Sequence, residues 1–185
     1  ASIVITPQQE ADMDIKATLN NLLIPYTSNY AGTLLPGIRE YTVTPGEKTT
    51  TISGKGKAGL KQEENYYFFY LPVCYKGITG KSYAYYNTSR SKNLYLPASV
   101  DENYSYDIQL PENLTLCTPI QEKKIDNPIG SFKITLTSEG SSLHIELALQ
   151  IKKQLITPAE YPAFRSLITE WTDRTRKPIL FKTVQ

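Results

Sequence analysis

Met13, Ile15, Ala17 and Leu19 alternate with polar neighbours, the period-two pattern of a strand with one buried face. The pattern returns in Phe132, Ile134 and Leu136, and again in Leu143, Ile145, Leu147, Leu149 and Ile151. Glu139-Gly140-Ser141 stands between the last two runs, so they are predicted to form a hairpin. Residues 38–44 and 48–53 are rich in Thr, Val and Tyr and flank the turn signal Pro45-Gly46. Residues 53–59, made of Gly and Lys for the most part, read as a flexible loop. Residues 66–71 form a continuous aromatic run, short enough for a fully buried strand. Residues 82–86, 93–96 and 104–110 complete the strand-like segments, broken by Pro97 and Pro111.

Strands this closely spaced, with Pro, Gly and Asn turns between them, predict a mainly β fold, an antiparallel β-sandwich. Candidate boundaries fall near residues 54–62 and 87–92. Residues 1–87 are then a β region, either a linker or the first part of the sandwich. Residues 88–185 are the C-terminal β-sandwich domain.

One segment changes period. Tyr161, Phe164, Leu167, Ile168 and Trp171 fall on one face at spacings of three and four, which predicts a helix over about 158–173, packed on the sandwich before a last strand near 177–182. Burying that face contributes on the order of 10 kcal/mol before entropy. Its start has two registers. Thr157 caps it with Pro158 in the first turn and Glu160 completing a Thr-x-x-Glu box, or Pro162 opens it and 158–161 form a preceding turn. Arg174, Arg176 and Lys177 stand where a helix C-terminus favours cations.

Composition sharpens this picture at a few points. The 14 tyrosines, against 5 Phe and 1 Trp, suit pleated surfaces with one wet face, and also binding surfaces. Net charge is +2, too small to point to nucleic acid or an acidic membrane. Six acids and two lysines in 101–128, and seven bases against three acids in 150–185, describe two oppositely biased surfaces. No apolar run reaches the roughly 20 residues that span a bilayer as a helix. No leader is visible, and the chain begins at Ala1. Cys74 and Cys117 are too few for a disulfide scaffold and read as buried free thiols. Paired, they would close a loop worth roughly 4 kcal/mol.

No catalytic constellation emerges. Gly54-Lys55-Gly56-Lys57-Ala58-Gly59 fits G-x-G-x-x-G by letter but lacks a following helix and the acid about 20 residues on. Gly77-Ile78-Thr79-Gly80-Lys81-Ser82 resembles the end of a phosphate loop, yet Tyr75 stands where the first glycine belongs. His144, the one histidine, falls on the outward phase of its strand. One His with two distant Cys makes no zinc site. A calcium site would need Asp12/Asp14 and Asp101/Glu102 to converge, without any loop signature. Cys74, at a strand end, lacks the helix N-terminus or cation that activates a thiol, so a Cys74–His144 pair is rejected. Asn87-Thr88-Ser89, Asn103-Tyr104-Ser105 and Asn113-Leu114-Thr115 match the glycosylation pattern, as chance allows in a Ser/Thr-rich chain. No catalytic, cofactor-binding or metal-binding residue is assigned, and no cofactor is expected.

Several segments nevertheless resemble a family. Ser89-Arg90-Ser91, Leu94-Tyr95-Leu96-Pro97 and residues 104–112 match an arginine-containing strand, a Tyr-x-Tyr strand and a strand ending Leu-Pro. Ile156-Thr157-Pro158-Ala159-Glu160-Tyr161, Phe164-Arg165 and Pro178-Ile179-Leu180-Phe181-Lys182 continue the match. Over residues 89–182 the chain resembles the uncharacterised C-terminal β domain of bacterial transglutaminase-like, exported proteins. The resemblance implies the non-catalytic end of a larger Gram-negative protein, periplasmic or cell-surface, packed against an upstream transglutaminase-like domain. That family's Cys-His-Asp core has no counterpart here. The chain is therefore expected not to be an enzyme but a structural or interaction domain with a protein or glycan ligand, the alternative being a carbohydrate-binding β-sandwich module. For the latter, Tyr66–Tyr70 is weighed as core plus wet face, because alternate residues of a strand share a face.

Overall fold

The computed structural model describes residues 9–20, 35, 37–74, 78 and 89–184, with Arg176 described through its backbone. The expected strand at 82–86, the Gly77–Ser82 motif apart from Ile78, and Asn87 and Thr88 of the first glycosylation match lie outside the described residues.

Thirteen strands are described: β1 (Glu10–Asn20), β2 (Ile38–Pro45), β3 (Thr49–Gly59), β4 (Lys61–Glu63), β5 (Tyr66–Phe69), β6 (Leu94–Tyr95), β7 (Val100–Gln109), β8 (Leu114–Leu116), β9 (Gln121–Asn127), β10 (Gly130–Glu139), β11 (Ser142–Ile151), β12 (Leu155–Ile156) and β13 (Ile179–Thr183). Among the described residues one helix, α1 (Tyr161–Arg176), precedes β13. A seven-stranded sheet runs β2-β3-β1-β7-β11-β10-β9, and a four-stranded sheet runs β4-β5-β13-β8. The pair β12-β6 makes a short third ladder. Every pairing is antiparallel. The fold is therefore mainly β, two sheets packed sandwich-fashion with the helix against them.

The alternations seen in the sequence become the inner face of the large sheet. Met13, Ile15, Ala17 and Leu19 lie opposite Ile108, Tyr106, Tyr104 and Glu102 of β7. On its other side β7 sets Ile108, Tyr106, Tyr104 and Glu102 against Leu143, Ile145, Leu147 and Leu149 of β11. The helix lies over β10 and β11, and Phe164, Leu167, Ile168 and Trp171 are buried there. Phe69 and Phe181, stacked with ring centroids 5.8 Å apart, bring the small sheet into the same apolar cluster. Residues expected in the C-terminal core, from Leu143 through Trp171, are all buried in it. β1 and β3 are continuous with β7 in one sheet, so these two N-terminal strands contribute to the same core as the C-terminal strands.

Three local expectations are corrected. Residues 53–59 are not a loop but the second half of β3. The small residues have a packing reason: a Cβ on Gly54 would lie against Ile38 Cγ2 and 2.8 Å from the Glu40 carbonyl oxygen. A Cβ on Gly56 would run into the Gly37 carbonyl oxygen and stand 3.1 Å from Ile38 Cα. β2 enters across the inner face here, at an irregularity between Ile38 and Glu40, and glycine leaves it room. Lys55 and Lys57 point to the wet face and pair with Asp14 at 3.6 Å and with Asp12 at 3.6 Å.

The aromatic run is not fully buried. It alternates, with Phe69 inside and Tyr66 and Tyr70 exposed. The helix also begins later than 158, at Tyr161, so Pro162 falls in its first turn and no side chain caps it. Thr157 instead donates from its N–H and hydroxyl to Glu160 Oε2, at 3.1 and 3.0 Å. Residues 157–160 form a turn, with the Glu160 N–H reaching the Thr157 carbonyl at 3.1 Å. Cys74 is buried and Cys117 half-buried, and the two do not form a disulfide with each other.

Candidate functional site

Successive inward positions of β7 carry Glu102, Tyr104 and Tyr106, all buried. Their neighbours on β1 and β11 are apolar, with small Ala17 opposite Tyr104. The polar tips of the three side chains therefore turn to the segment that follows β5. The Ile78 N–H donates to Glu102 Oε1 in a short hydrogen bond. The Tyr104 hydroxyl donates to Glu102 Oε2 at 2.9 Å and accepts the Cys74 N–H at 3.1 Å. The Tyr106 hydroxyl donates to the Pro72 carbonyl at 3.0 Å. Burial raises the Glu102 carboxyl to about 7, against the lowering effect of the Ile78 and Tyr104 bonds. Burial and the nearby Glu102 carboxylate push the Tyr104 and Tyr106 phenols well above their usual range.

This row separates the residues weighed as a catalytic pair. Cys74 is buried on the inner side, its N–H on Tyr104. His144 is on the outer face of β11, its Nδ1 2.7 Å from Asp107 Oδ1 and its Nε2 3.8 Å from Glu146 Oε1. The sheet lies between them. The hydrogen bond from Lys133, 3.0 Å away, leads the causes that hold Glu146 below the usual carboxylate range. Around His144 the wet face forms an open concavity of about 660 Å³ that includes Asp12, Asp14 and Asp107. Glu102 points inward and Asp12 and Asp14 outward, so the carboxylates considered for calcium do not converge. Among the described residues no three His, Cys, Asp or Glu side chains are grouped to hold a metal.

A second surface is the outer face of the small sheet. Tyr66, Phe68 and Tyr70 share it with Leu180, which lies opposite Phe68 in register. Tyr66 is 49% exposed, Tyr70 46% and Leu180 37%, on a face they share with Lys182 and Glu63, opposite Tyr66, and Lys61, opposite Phe68. The Phe68 and Tyr70 rings meet edge to face, 6.1 Å apart and 87° inclined. Lys61 holds its ammonium 5.8 Å over the Tyr70 ring. A sugar needs a flat ring face to stack on, and this row does not offer a coplanar series.

The third surface gathers the residues that carry the family resemblance. Arg90 lies 5.8 Å over the ring of Tyr161, which in turn meets Phe164 at 5.9 Å. Arg90, Tyr161 and Arg165 border a groove of about 510 Å³ beside the first turns of α1. The distinctive motif thus anchors the Ser89–Arg90 segment to the helix through a cation–π contact.

Sequence reasoning missed the buried row. Its signal was present, since residues 102, 104 and 106 share the phase of Ile108, but nothing in the sequence places Pro72, Cys74 and Ile78 over them.

These features define a two-sheet antiparallel β domain with a helix closing its core. A family model described as a domain of unknown function with solved structure, DUF3858, matches residues 65–181, and the chain belongs to this family. The match begins well before residue 89, taking in β5 and the segment on the buried row. The crystal structure of a "putative protease" from Parabacteroides distasonis is similar at 31% identity and a TM-score of 0.59 over 66% of the chain. The chain spans 24% of that protein's length. No protein of curated function matches the chain in sequence.

Proposed function

We propose that the chain is a structural and interaction domain of a larger exported bacterial protein, where it docks on a transglutaminase-like module and performs no chemistry itself. Tyr66, Phe68, Tyr70 and Leu180, grouped on the outer face of the small sheet, carry this reading, because exposed aromatic side chains gathered on one sheet face mark a contact surface. It is supported by the similar protein, which is nearly three times as long as this chain and described as a "putative protease". The periplasmic or cell-surface setting rests on the motif resemblance. Cys74 is poorly placed for thiol chemistry: it is buried, its N–H is held by Tyr104, and His144 is across the sheet from it.

Hydroxyl-radical footprinting of the intact reading-frame product against this chain alone tests the reading. Tyr66, Tyr70 and Leu180 should label several-fold more slowly in the intact protein. Equal labelling in both would refute docking through this face. Acyl-transfer or peptidase activity in the chain alone would refute the non-catalytic role.

A further inference from the structure

We propose that the groove beside the first turns of α1 binds an acidic peptide, a segment whose carboxylate side chain meets Arg90 and Arg165 while an apolar neighbour lies on Ile125, Pro158 and Pro162. This surface is separate from the outer face of the small sheet, so the inference goes beyond the docking described above and does not depend on it. Arg165 stands one helical turn after Tyr161 on the same side of α1. Arg90 reaches the same place from the segment before β6, its guanidinium 5.8 Å over the Tyr161 ring. A guanidinium stacked on a ring keeps in-plane N–H donors that match the two oxygens of a carboxylate.

The charge around the groove is one-sided. Among the described residues that line it, Glu170 is the one carboxylate, and it is held by Lys123 at 2.5 Å with Arg174 Nε at 4.0 Å. The acids nearby are also taken up. Glu160 pairs with Lys153, and Asp126, on the other side of β9 from Ile125, pairs with Lys124 at 3.5 Å. Arg165 is exposed and has no ion pair among the described residues. Two arginines whose neighbouring acids are already matched make a field that favours an acidic occupant. The rest of the lining says what kind. Pro158 and Pro162 are exposed and Ile125 half-buried, an apolar floor that a bare oxyanion would leave wet. A peptide covers both parts: its carboxylate takes charge-assisted hydrogen bonds from the arginines, and an adjacent apolar side chain buries the floor.

The probe is a fluorescein-labelled peptide of alternating leucine and glutamate, with a leucine–glutamine peptide of the same length for comparison. Fluorescence anisotropy should show saturable binding of the glutamate peptide, about tenfold tighter than that of the glutamine peptide. Raising salt from ~20 to ~200 mM should weaken it several-fold, as exposed ion pairs are screened. Arg165→Gln, an exposed change that should leave the melting temperature in place, should weaken it about tenfold. Lys124→Gln, on the other side of β9 from Ile125, should leave the affinity unchanged. Absence of saturable binding to the glutamate peptide overturns the proposal, as does equal affinity for the two peptides. Unchanged affinity in a folded Arg165→Gln overturns it as well. Full displacement by inorganic phosphate at the peptide's own concentration would make the groove a site for small oxyanions, and the peptide reading would fall.

Discussion

Trp171 of the helix meets Tyr104 of β7 ring to ring, 5.9 Å apart and tilted by 41°. Tyr104 in turn lies stacked beside Tyr106, 6.2 Å away. The helix is thus seated on the same tyrosine that holds Cys74 and Glu102. Trp171→Ala should destabilise the chain by roughly 3–5 kcal/mol, because a fully buried ring leaves a cavity the sheet cannot fill. Urea titration reads this directly, and a shift no larger than that of a surface change would count against the assignment.

Stability should depend on pH through Glu102. Its carboxyl is raised by burial to about 7, so the folded chain keeps a proton that the unfolded chain has released. That contribution is complete below the usual carboxylate range and is lost as pH rises through about 7, by on the order of 3 kcal/mol at most. Denaturation midpoints near pH 5 and pH 8 should therefore differ in the natural sequence, and the difference should shrink in Glu102→Gln. An equal difference in both proteins would assign the effect to other groups.

Gly56→Ala should be destabilising by about 1–3 kcal/mol, since its new methyl meets backbone at Gly37 and Ile38, which cannot rotate aside. Gly140→Ala offers the contrast. Nothing stands within 4 Å of a Cβ there, and its cost comes from the positive φ of +58° in the β10–β11 turn. A double mutant should lose the sum of the two, as distant independent sites do. A neutral Gly56→Ala would mean that β2 enters the sheet elsewhere.

At the helix entrance the carboxylate matters more than the threonine. Glu160 accepts both Thr157 donors and an ion pair from Lys153, and those contacts, Lys153 first, lower its carboxyl to about 2. Glu160→Ala should lower the melting temperature further than Thr157→Ala, which loses the hydroxyl bond and keeps the N–H bond. The Glu160 contribution is present above the usual carboxylate range and is lost as pH falls through about 2. Equal melting temperatures for the two variants would show that the turn holds without its carboxylate.

The amino-acid sequence by itself determined every element whose burial is one-sided. β1, β10, β11 and the helix write their inner faces into the chain as alternation or as a three-four spacing, because each buried position needs an apolar side chain. Where side chains do not report burial, the sequence was silent. β9, Gln-Glu-Lys-Lys-Ile-Asp-Asn, is a polar edge strand whose Lys123 turns inward only to meet Glu170 of the helix at 2.5 Å. The glycines of β3 have no side chain to show a phase, and only the crossing of Gly37 and Ile38 explains them. Glu102 is the sharpest case. Its phase was legible, but an acid at an inward position is buried only if distant backbone comes to meet it. Pro72, Cys74 and Ile78 are 24 or more residues away, and that meeting is a product of tertiary packing.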